Sequence, residues 1–403
     1  MLTHDCSTLQ STWPLSVVGI HMGHNGPITA QATTNFLAET LFQYLPTFQA
    51  FMGRLSDEET TTFTPVENES KSQQKLSGAA IDSIIKATFL FLDDHLVYRF
   101  PSLAQGTTEA EYKNAIRKPV ASDDEWAKTI YDILDSCGAI IEEKKVPHHC
   151  TPRYSGARVL LGIFTNADRT LRIVQTGESR AVIGRRISKQ SSKDLEHRYT
   201  YEVLSASTYP SSAPQSTSGT NPSDGPALLR NTRTPGWAFG DSALKWTSDV
   251  QRKLWAKYLG HPPSLAEDLQ PPPLKTPTAE PQITRFEGMK KGDFAVLASD
   301  GLWDSLSSEE VVGLVGKWVE EKRTKAKLGE AYNSSELPVV FPDDYKDTTT
   351  IHKFWGKEKR FISDEKDEGN VARHLLRNAM GGADKEFSDA VYRIEGPRSR
   401  KFR

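Results

Sequence analysis

The feature that most constrains the fold is a set of three short apolar runs that follow one another closely along the chain. Residues 157–165 (ARVLLGIFT), 170–177 (TLRIVQTG) and 180–186 (RAVIGRR) are each rich in aliphatic and β-branched residues. Only a few turn-forming residues separate them, too few to build a connecting helix. The spacing therefore predicts three antiparallel strands in one meander, forming half of a sheet that packs on another layer.

Helical and strand patterns alternate on both sides of these runs. Apolar residues recur at steps of three and four in several segments, and a fully apolar strand leads into Asp300. The strand and helix patterns predict an α+β protein, a β-sandwich with helices on both outer faces. The predicted elements are residues 15–20 (strand), about 28–45, 79–97 and 125–137 (helices), 294–299 (strand), a helix N-capped by Ser307 or Ser308, and a last helix over 370–380.

One domain is predicted over residues 15–403, with poorly ordered insertions at 187–235 and 324–365. Residues 205–235 are rich in serine, threonine, proline and glycine and contain little that could be buried. The second insertion is rich in charged residues. We expect neither segment to contribute to the core.

The charge balance excludes some partners. The chain has 50 basic and 52 acidic residues and a net charge of -2, so it lacks the positive field with which proteins bind nucleic acid or anionic membranes. No apolar run reaches the roughly 18–20 residues that a membrane-spanning helix needs. Three cysteines, Cys6, Cys137 and Cys150, give no disulfide framework and fit a reducing compartment.

The first sixteen residues, MLTHDCSTLQSTWPLS, contain an aspartate and no lysine or arginine. That composition matches neither a signal peptide nor a mitochondrial transit peptide. The sequence alone thus predicts either a protein that stays in the cytoplasm or a chain that lacks its true N-terminus.

Four segments together resemble a known family. LASDGLWDSLSSEEVVGLV (297–315) resembles the signature of the type 2C (PPM-type) metal-dependent protein serine/threonine phosphatases, and residues 151–186 resemble that family's central sheet. WAFGDSALKW (237–246) is similar to the family's Arg-Ala-Phe-Gly-Asp segment, with Trp237 where arginine is expected. GNVARHLLRNAMGG (369–382) narrows the likeness to the branch of the fungal pyruvate dehydrogenase phosphatases.

The resemblance implies a PPM-type phosphatase β-sandwich, here incomplete at the N- and C-terminal strands. It also implies hydrolysis of phosphoserine and phosphothreonine on a protein substrate, for example pyruvate dehydrogenase, and a mitochondrial location. Two Mg²⁺ or Mn²⁺ ions would activate the attacking water. The oligomeric state is not implied.

The resemblance also assigns candidate site residues. Within GIHMGHNG (19–26), Gly23 aligns with a carbonyl metal ligand and His24 with the general acid, while Met22 stands where the family has the aspartate that bridges both metals. A thioether is neutral and soft and cannot bridge two hard cations. Of the family's acidic ligands, only Asp300 is clearly present.

Other residues near these motifs have simpler interpretations. Asp300 alone could cap an Asp-Gly turn, and an isolated histidine such as His24 is more often a hydrogen-bonded surface residue than an acid catalyst. We interpret Phe239 and Asp241 as structural residues that fix the chain next to the sheet, and Glu178 as support for a turn.

Three hypotheses follow. The chain is an active serine/threonine phosphatase in which other carboxylates replace the missing ones, a non-catalytic binding protein that kept the fold, or an incomplete translation of an ordinary phosphatase gene. We predict phosphatase function for the family and little or no activity for this polypeptide.

Overall fold

The computed structural model describes residues 15–24, 29–38, 40–41, 78–104, 155–177, 179–188, 199–206, 237–247, 278–324, 331–333, 336–340, 360–363 and 370–393. The chain divides into two compact units. The first comprises residues 1–167, 174–177 and 210–285, and the second comprises 168–173, 178–209 and 286–403. The predicted helix over 125–137 and Glu178 lie outside the described residues.

The described elements are mixed helices and strands, so the predicted α+β class is confirmed. The strands are β1 (Leu15–His24), β2 (Gly156–Thr165), β3 (Thr170–Thr176), β4 (Arg180–Ser188), β5 (Tyr199–Ala206), β6 (Phe239–Gly240), β7 (Gln282–Phe286), β8 (Phe294–Ala298), β9 (Ala331–Asn333), β10 (Val339–Val340) and β11 (Arg360–Ile362). The helices are α1 (29–38), α2 (Gly78–Ala104), α3 (Ser242–Lys245), α4 (Asp300–Trp303), α5 (Ser308–Thr324), α6 (Val371–Ala379) and α7 (Lys385–Arg393).

One sheet has the strand order β1-β2-β3-β7, with β6 also paired to β2. Strands β1 and β2 are antiparallel over ten residue pairs, from Leu15 opposite Thr165 to His24 opposite Gly156. Successive side chains on a strand point to opposite faces. One core contains Leu37, Leu41, Ile84, Ile85, Phe89, Ala157, Val159, Leu161 and Ile163, and Leu160, on the other face of β2, is also fully buried.

The second unit is built on a sheet in the order β10-β5-β4-β8, with β10 parallel to β5, and on a small β11-β9 pair. Helix α5 packs on the sheet through a buried aliphatic face. Its N-terminus is a capping box, since the Glu310 N–H donates to Ser307 Oγ (3.1 Å) and the Ser307 N–H donates to the Glu310 carboxylate (2.9 Å). The predicted cap at Ser307 is confirmed.

Two structural predictions are corrected. The meander prediction is wrong at β4, which pairs with β5 and β8 and not with β3. The short 177–179 connection looks like a hairpin turn in sequence, but the chain leaves one sheet there and enters another. A last helix, α7, follows Gly381 and Gly382 and was not predicted, because its short pattern carries few apolar residues.

The insertions are also partly ordered. Strand β5 lies within 187–235 and carries the buried Tyr201 and Val203, while β9, β10 and β11 lie within 324–365. The run YTYEVLSA alternates large apolar and polar residues, and composition averaged over the longer segment hides it. Residues 189–198, 207–235, 325–330, 334–335, 341–359 and 364–365 of these segments lie outside the described residues, and the single domain over 15–403 stays a prediction.

Candidate active site

A histidine and a buried carboxylate meet at the C-terminal end of β1. His24 Nε2 lies 2.9 Å from Asp241 Oδ1 and 2.8 Å from Oδ2. The His24 side chain is 28% exposed and that of Asp241 only 5%. Because both carboxylate oxygens accept from one ring nitrogen, Nε2 carries the proton and the ring orientation is fixed. Nδ1 has no hydrogen-bond partner among the described residues.

A tight left-handed turn places Asp241 beside the histidine. Strand β6 ends at Gly240 with a φ of 70°, and Asp241 follows with φ 47° and ψ 42°. The Asp241 N–H donates to the Ser155 carbonyl (3.0 Å), and a Cβ added at Gly240 would lie 2.5 Å from that same oxygen. Aspartate is one of the few residues with a side chain that tolerates this conformation. The turn therefore requires glycine at 240 and accepts aspartate at 241.

A buried ion pair between helices α2 and α3 fixes the backbone of the same turn. Asp93 of α2 accepts from the Gly240 N–H at 2.8 Å and from Lys245 Nζ at 2.6 Å, and Lys245 also donates to the Ala238 carbonyl at 3.0 Å. The Lys245 and Asp93 side chains are 3% and 9% exposed. Burial raises the pKa of Asp93, and the Lys245 ammonium opposes that rise. The two charges therefore stabilise each other.

Gly156 makes room for the His24–Asp241 pair. It lies directly opposite His24 in the β1–β2 ladder. A Cβ added there would lie 2.2 Å from His24 Nε2 and 2.5 Å from Asp241 Oδ1. No side chain fits in that space, so the imidazole ring of His24 packs directly on the backbone of Gly156.

Met22 and Gly23, the other predicted site residues of β1, have different surroundings. Met22 is half-buried and lies directly opposite Arg158 of β2, on the same face of the sheet. Gly23 is exposed and lies on the opposite face of the strand.

The described residues do not fit a two-metal centre. The donor at position 22 is a neutral thioether, and its cross-strand partner is a guanidinium. In the part of the chain that the structure describes, no group of three or more His, Cys, Asp or Glu side chains is arranged to hold a metal.

Asp300, the predicted metal ligand, belongs to the second unit. It is exposed, and its Oδ1 accepts from the Gly301 N–H at 2.9 Å. Trp303 anchors the segment, since its Nε1 donates to the carbonyls of Ala298 (2.9 Å) and Arg180 (3.1 Å), and the Arg180 guanidinium lies 4.3 Å from its ring centre. The described contacts of this motif are therefore those of a strand-to-helix connection, and metal binding by Asp300 stays a prediction.

Sequence reasoning gives Asp241 a structural role, to which the structure adds a direct contact with His24. It misses Asp93, although an aspartate inside the apolar run of α2 is an unusual place for a charge. Lys245 lies four residues after Asp241, on the short helix α3, and offers the matching charge.

Comparison with known proteins places the chain in a family. Residues 228–333 match the family model described as Protein phosphatase 2C. A protein phosphatase 2C homolog of Schizosaccharomyces pombe is 30% identical over 348 residues, which cover 78% of this chain and 68% of that protein. The chain therefore belongs to the protein phosphatase 2C family of protein phosphatases.

Two further relatives are named as phosphatases of pyruvate dehydrogenase. The mitochondrial [pyruvate dehydrogenase [acetyl-transferring]]-phosphatase 1 of Saccharomyces cerevisiae is 26% identical over 96% of this chain and 59% of its own length. The human phosphatase 2 of the same name is 43% identical over 81 residues, 19% of this chain and 15% of its own. The chain thus spans well under two thirds of these two relatives.

The solved structure of a serine-threonine phosphatase 2C from Toxoplasma gondii covers 76% of this chain and 74% of its own, with a TM-score of 0.30 and 11% identity. Among the described helices, none is both long and apolar enough to span a membrane.

Proposed function

We propose that this protein is a protein serine/threonine phosphatase that acts on phosphoserine or phosphothreonine of a protein substrate. The observation that carries the proposal is the His24–Asp241 pair, an imidazole oriented by a buried carboxylate in a chain of this family. The relatives from S. cerevisiae and human support pyruvate dehydrogenase as the substrate and the mitochondrion as the location.

In this proposal His24 is the general acid. Its Nε2–H donates to Asp241, which keeps the ring in place and balances the charge of the protonated imidazole. In the hydrolysis step a water molecule forms the new bond to phosphorus and loses a proton to solvent, while Nδ1, the ring nitrogen that does not bond Asp241, gives its proton to the departing serine or threonine oxygen. Mg²⁺ or Mn²⁺ supplies the activated water in the family, but the described residues do not fit that pair of ions, and we assign no step to them here.

A second candidate function is phosphoprotein binding without hydrolysis. It is favoured by Met22 and Arg158, which put a neutral side chain and a cation where a two-metal phosphatase needs negative charge. The two candidates share the substrate and differ only in whether phosphate is released.

The test is phosphate release from a phosphothreonine peptide, measured with Mn²⁺ and with EDTA. We expect the wild type to exceed His24→Asn by about 100-fold, the usual contribution of a general acid. Met22→Asp, which restores a carboxylate, should release phosphate faster than the wild type when Mn²⁺ is present. A wild-type rate equal to that of His24→Asn would reject hydrolysis and leave the binding function.

A further inference from the structure

We propose that Thr29, at the start of α1, is a positioning residue for the His24–Asp241 pair. Its hydroxyl group donates to the Ser155 carbonyl, which is also the acceptor that holds the backbone of Asp241. The inference rests on the proposed function, because the histidine that is positioned is the general acid of that reaction. It adds to that function a residue that acts on His24 through the backbone of the turn.

The Ser155 carbonyl accepts two hydrogen bonds. One comes from Thr29 Oγ1 at 2.9 Å and the other from the Asp241 N–H at 3.0 Å. A carbonyl oxygen has two lone pairs and can accept from both donors at once. The threonine hydroxyl therefore helps to fix the oxygen on which the left-handed turn depends.

A second hydrogen bond joins Thr29 to Ser155. The Thr29 N–H donates to Ser155 Oγ at 3.3 Å, and both residues are buried. A buried polar group that loses its partner is not compensated by water, so these bonds are costly to break. The two bonds together fix the start of α1 relative to the residue that precedes β2.

These contacts join the chain segments that build the site. Thr29 follows His24 closely along the chain, at the start of the next helix. Ser155 directly precedes Gly156, which lies opposite His24 in the β1–β2 ladder. The same carbonyl thus links the helix that follows the histidine, the strand beneath its ring and the turn that carries Asp241. A change in the position of this carbonyl would move the carboxylate relative to the imidazole.

The packing around Gly240 leaves little room for such a change. A Cβ added at Gly240 would lie 2.5 Å from the Ser155 carbonyl oxygen, 2.9 Å from Thr29 Oγ1 and 3.0 Å from Thr29 Cγ2. The turn backbone therefore packs directly on the threonine side chain. Thr29→Val replaces the hydroxyl with a larger methyl group, so the carbonyl loses one donor and the turn is pushed away. We expect the Asp241 carboxylate to leave His24 Nε2.

The first experiment is proton NMR of the full chain with isotope-labelled histidine. The Nε2–H of His24 donates to a buried carboxylate in the wild type, so it should give a ring N–H resonance that is protected from exchange with water. His24→Asn assigns this resonance. We expect Thr29→Val to remove it and Thr29→Ser, which keeps the hydroxyl, to retain it.

Thr88→Val is the matched control. Thr88 is as fully buried as Thr29, and its Oγ1 donates at 2.8 Å to the Ile84 carbonyl of its own helix, α2. This change removes a buried hydroxyl from the same unit and keeps the bonds that hold the turn, so the resonance should remain. Circular dichroism checks that each variant is folded. Thr29→Ala, which removes the hydroxyl and adds no bulk, gives the same comparison if the valine variant does not fold.

The second experiment compares two substrates. Departure of threonine from a phosphothreonine peptide needs a proton from the general acid, whereas para-nitrophenolate leaves without one. Thr29→Val should therefore lower kcat for the peptide about tenfold and leave its KM unchanged, because a small displacement of the acid is enough to slow proton transfer. Its kcat for para-nitrophenyl phosphate should change by less than about twofold, whereas a merely structural defect would lower both rates together.

The two proposals can fail separately. If the wild type releases phosphate from neither substrate, hydrolysis is rejected, and the resonance alone decides whether Thr29 positions the histidine. Loss of the resonance in Thr29→Val, with retention in Thr29→Ser and Thr88→Val, supports the positioning role. A resonance that Thr29→Val and Thr29→Ala both leave unchanged, or equal losses of kcat for the two substrates, would overturn it.

Discussion

The turn at Asp241 and the segment at Asp300 differ in a way that sequence resemblance does not anticipate. LASDGLWDSL is the most specific family motif in the chain, yet the described contacts of Asp300 are local and those of Trp303 are packing contacts. WAFGD is a weaker motif with an altered first residue, yet it carries Asp241 to His24 and is held by a buried ion pair. The two motifs thus make different described contacts, and in our proposal it is the less specific motif that orients the general acid.

Breaking the buried ion pair is expected to have the largest effect. Lys245→Met leaves Asp93 buried beside Gly240 without its cation, and we expect a loss of about 3–5 kcal/mol in the free energy of unfolding. Urea denaturation measures it. Lys86→Met, which removes an exposed pair with Glu280, is the control and should change stability by less than about 1 kcal/mol.

The double variant Asp93→Leu/Lys245→Met should recover much of that loss, because it leaves no buried charge. If Lys86→Met lowered the free energy of unfolding as much as Lys245→Met, the stabilisation by the Asp93–Lys245 pair could not be attributed to its burial.

Acid should act mainly through the second unit. His374 is fully buried, and burial lowers its pKa to about 4, with the charges of Arg377 and Lys317 acting in the same direction and a backbone hydrogen bond at Leu314 opposing them. Between about pH 6.5 and 4 the unfolded chain binds a proton that the folded chain does not. The stabilisation from neutral His374 is thus complete above pH 6.5 and is lost as pH falls, by about 3 kcal/mol at pH 4.

Urea midpoints between pH 4 and 7.5 test this expectation. His374→Gln should flatten the profile, whereas His95→Gln, a half-buried histidine of α2, should not. A profile that His374→Gln leaves as steep as that of the wild type would contradict the assignment.

Adding a side chain at Gly156, beneath the His24–Asp241 pair, should affect phosphate release more than it affects the free energy of unfolding. Gly156→Ala puts a methyl group within 2.5 Å of both side chains, so the ring must leave the carboxylate. We expect phosphate release to fall by about 100-fold, the same factor as for loss of the acid itself. Gly301→Ala, whose added Cβ comes no closer than 3.8 Å to another atom, is the matched change near Asp300 and should have little effect.

Metal addition is expected to have the smallest effect. Because Met22 and Arg158 do not suit a divalent ion, millimolar Mn²⁺ should raise the melting temperature of the wild type by less than about 1 °C. Met22→Asp should restore part of the response. A rise of several degrees in the wild type that Asp300→Asn abolishes would establish the predicted ligand role of Asp300 and would show that the protein does accept a divalent ion.

Sequence predicted local elements better than their assembly. The Ser307 cap, the strand before Asp300 and helices near 79–97 and 370–380 follow from periodicity and capping residues, and the structure contains them. The transfer of the chain between sheets at 177–179 has no local signal, because turn residues look alike whether a strand pairs back or departs. The His24–Asp241 contact spans 217 residues, and only the fold brings its two members together.

The ten-residue match between β1 and β2 has a consequence for how insertions and deletions are tolerated. Since side chains alternate with a period of two, slipping the ladder by one residue would turn His24 towards the helices and away from Asp241. The ten matched residue pairs fix the position of His24, because a slip would move every β1 side chain to the opposite face of the sheet. A one-residue deletion between 15 and 22 should therefore be compensated before the histidine loses its place, either by a register shift of the β1 residues that precede the deletion or by a bulge in β2.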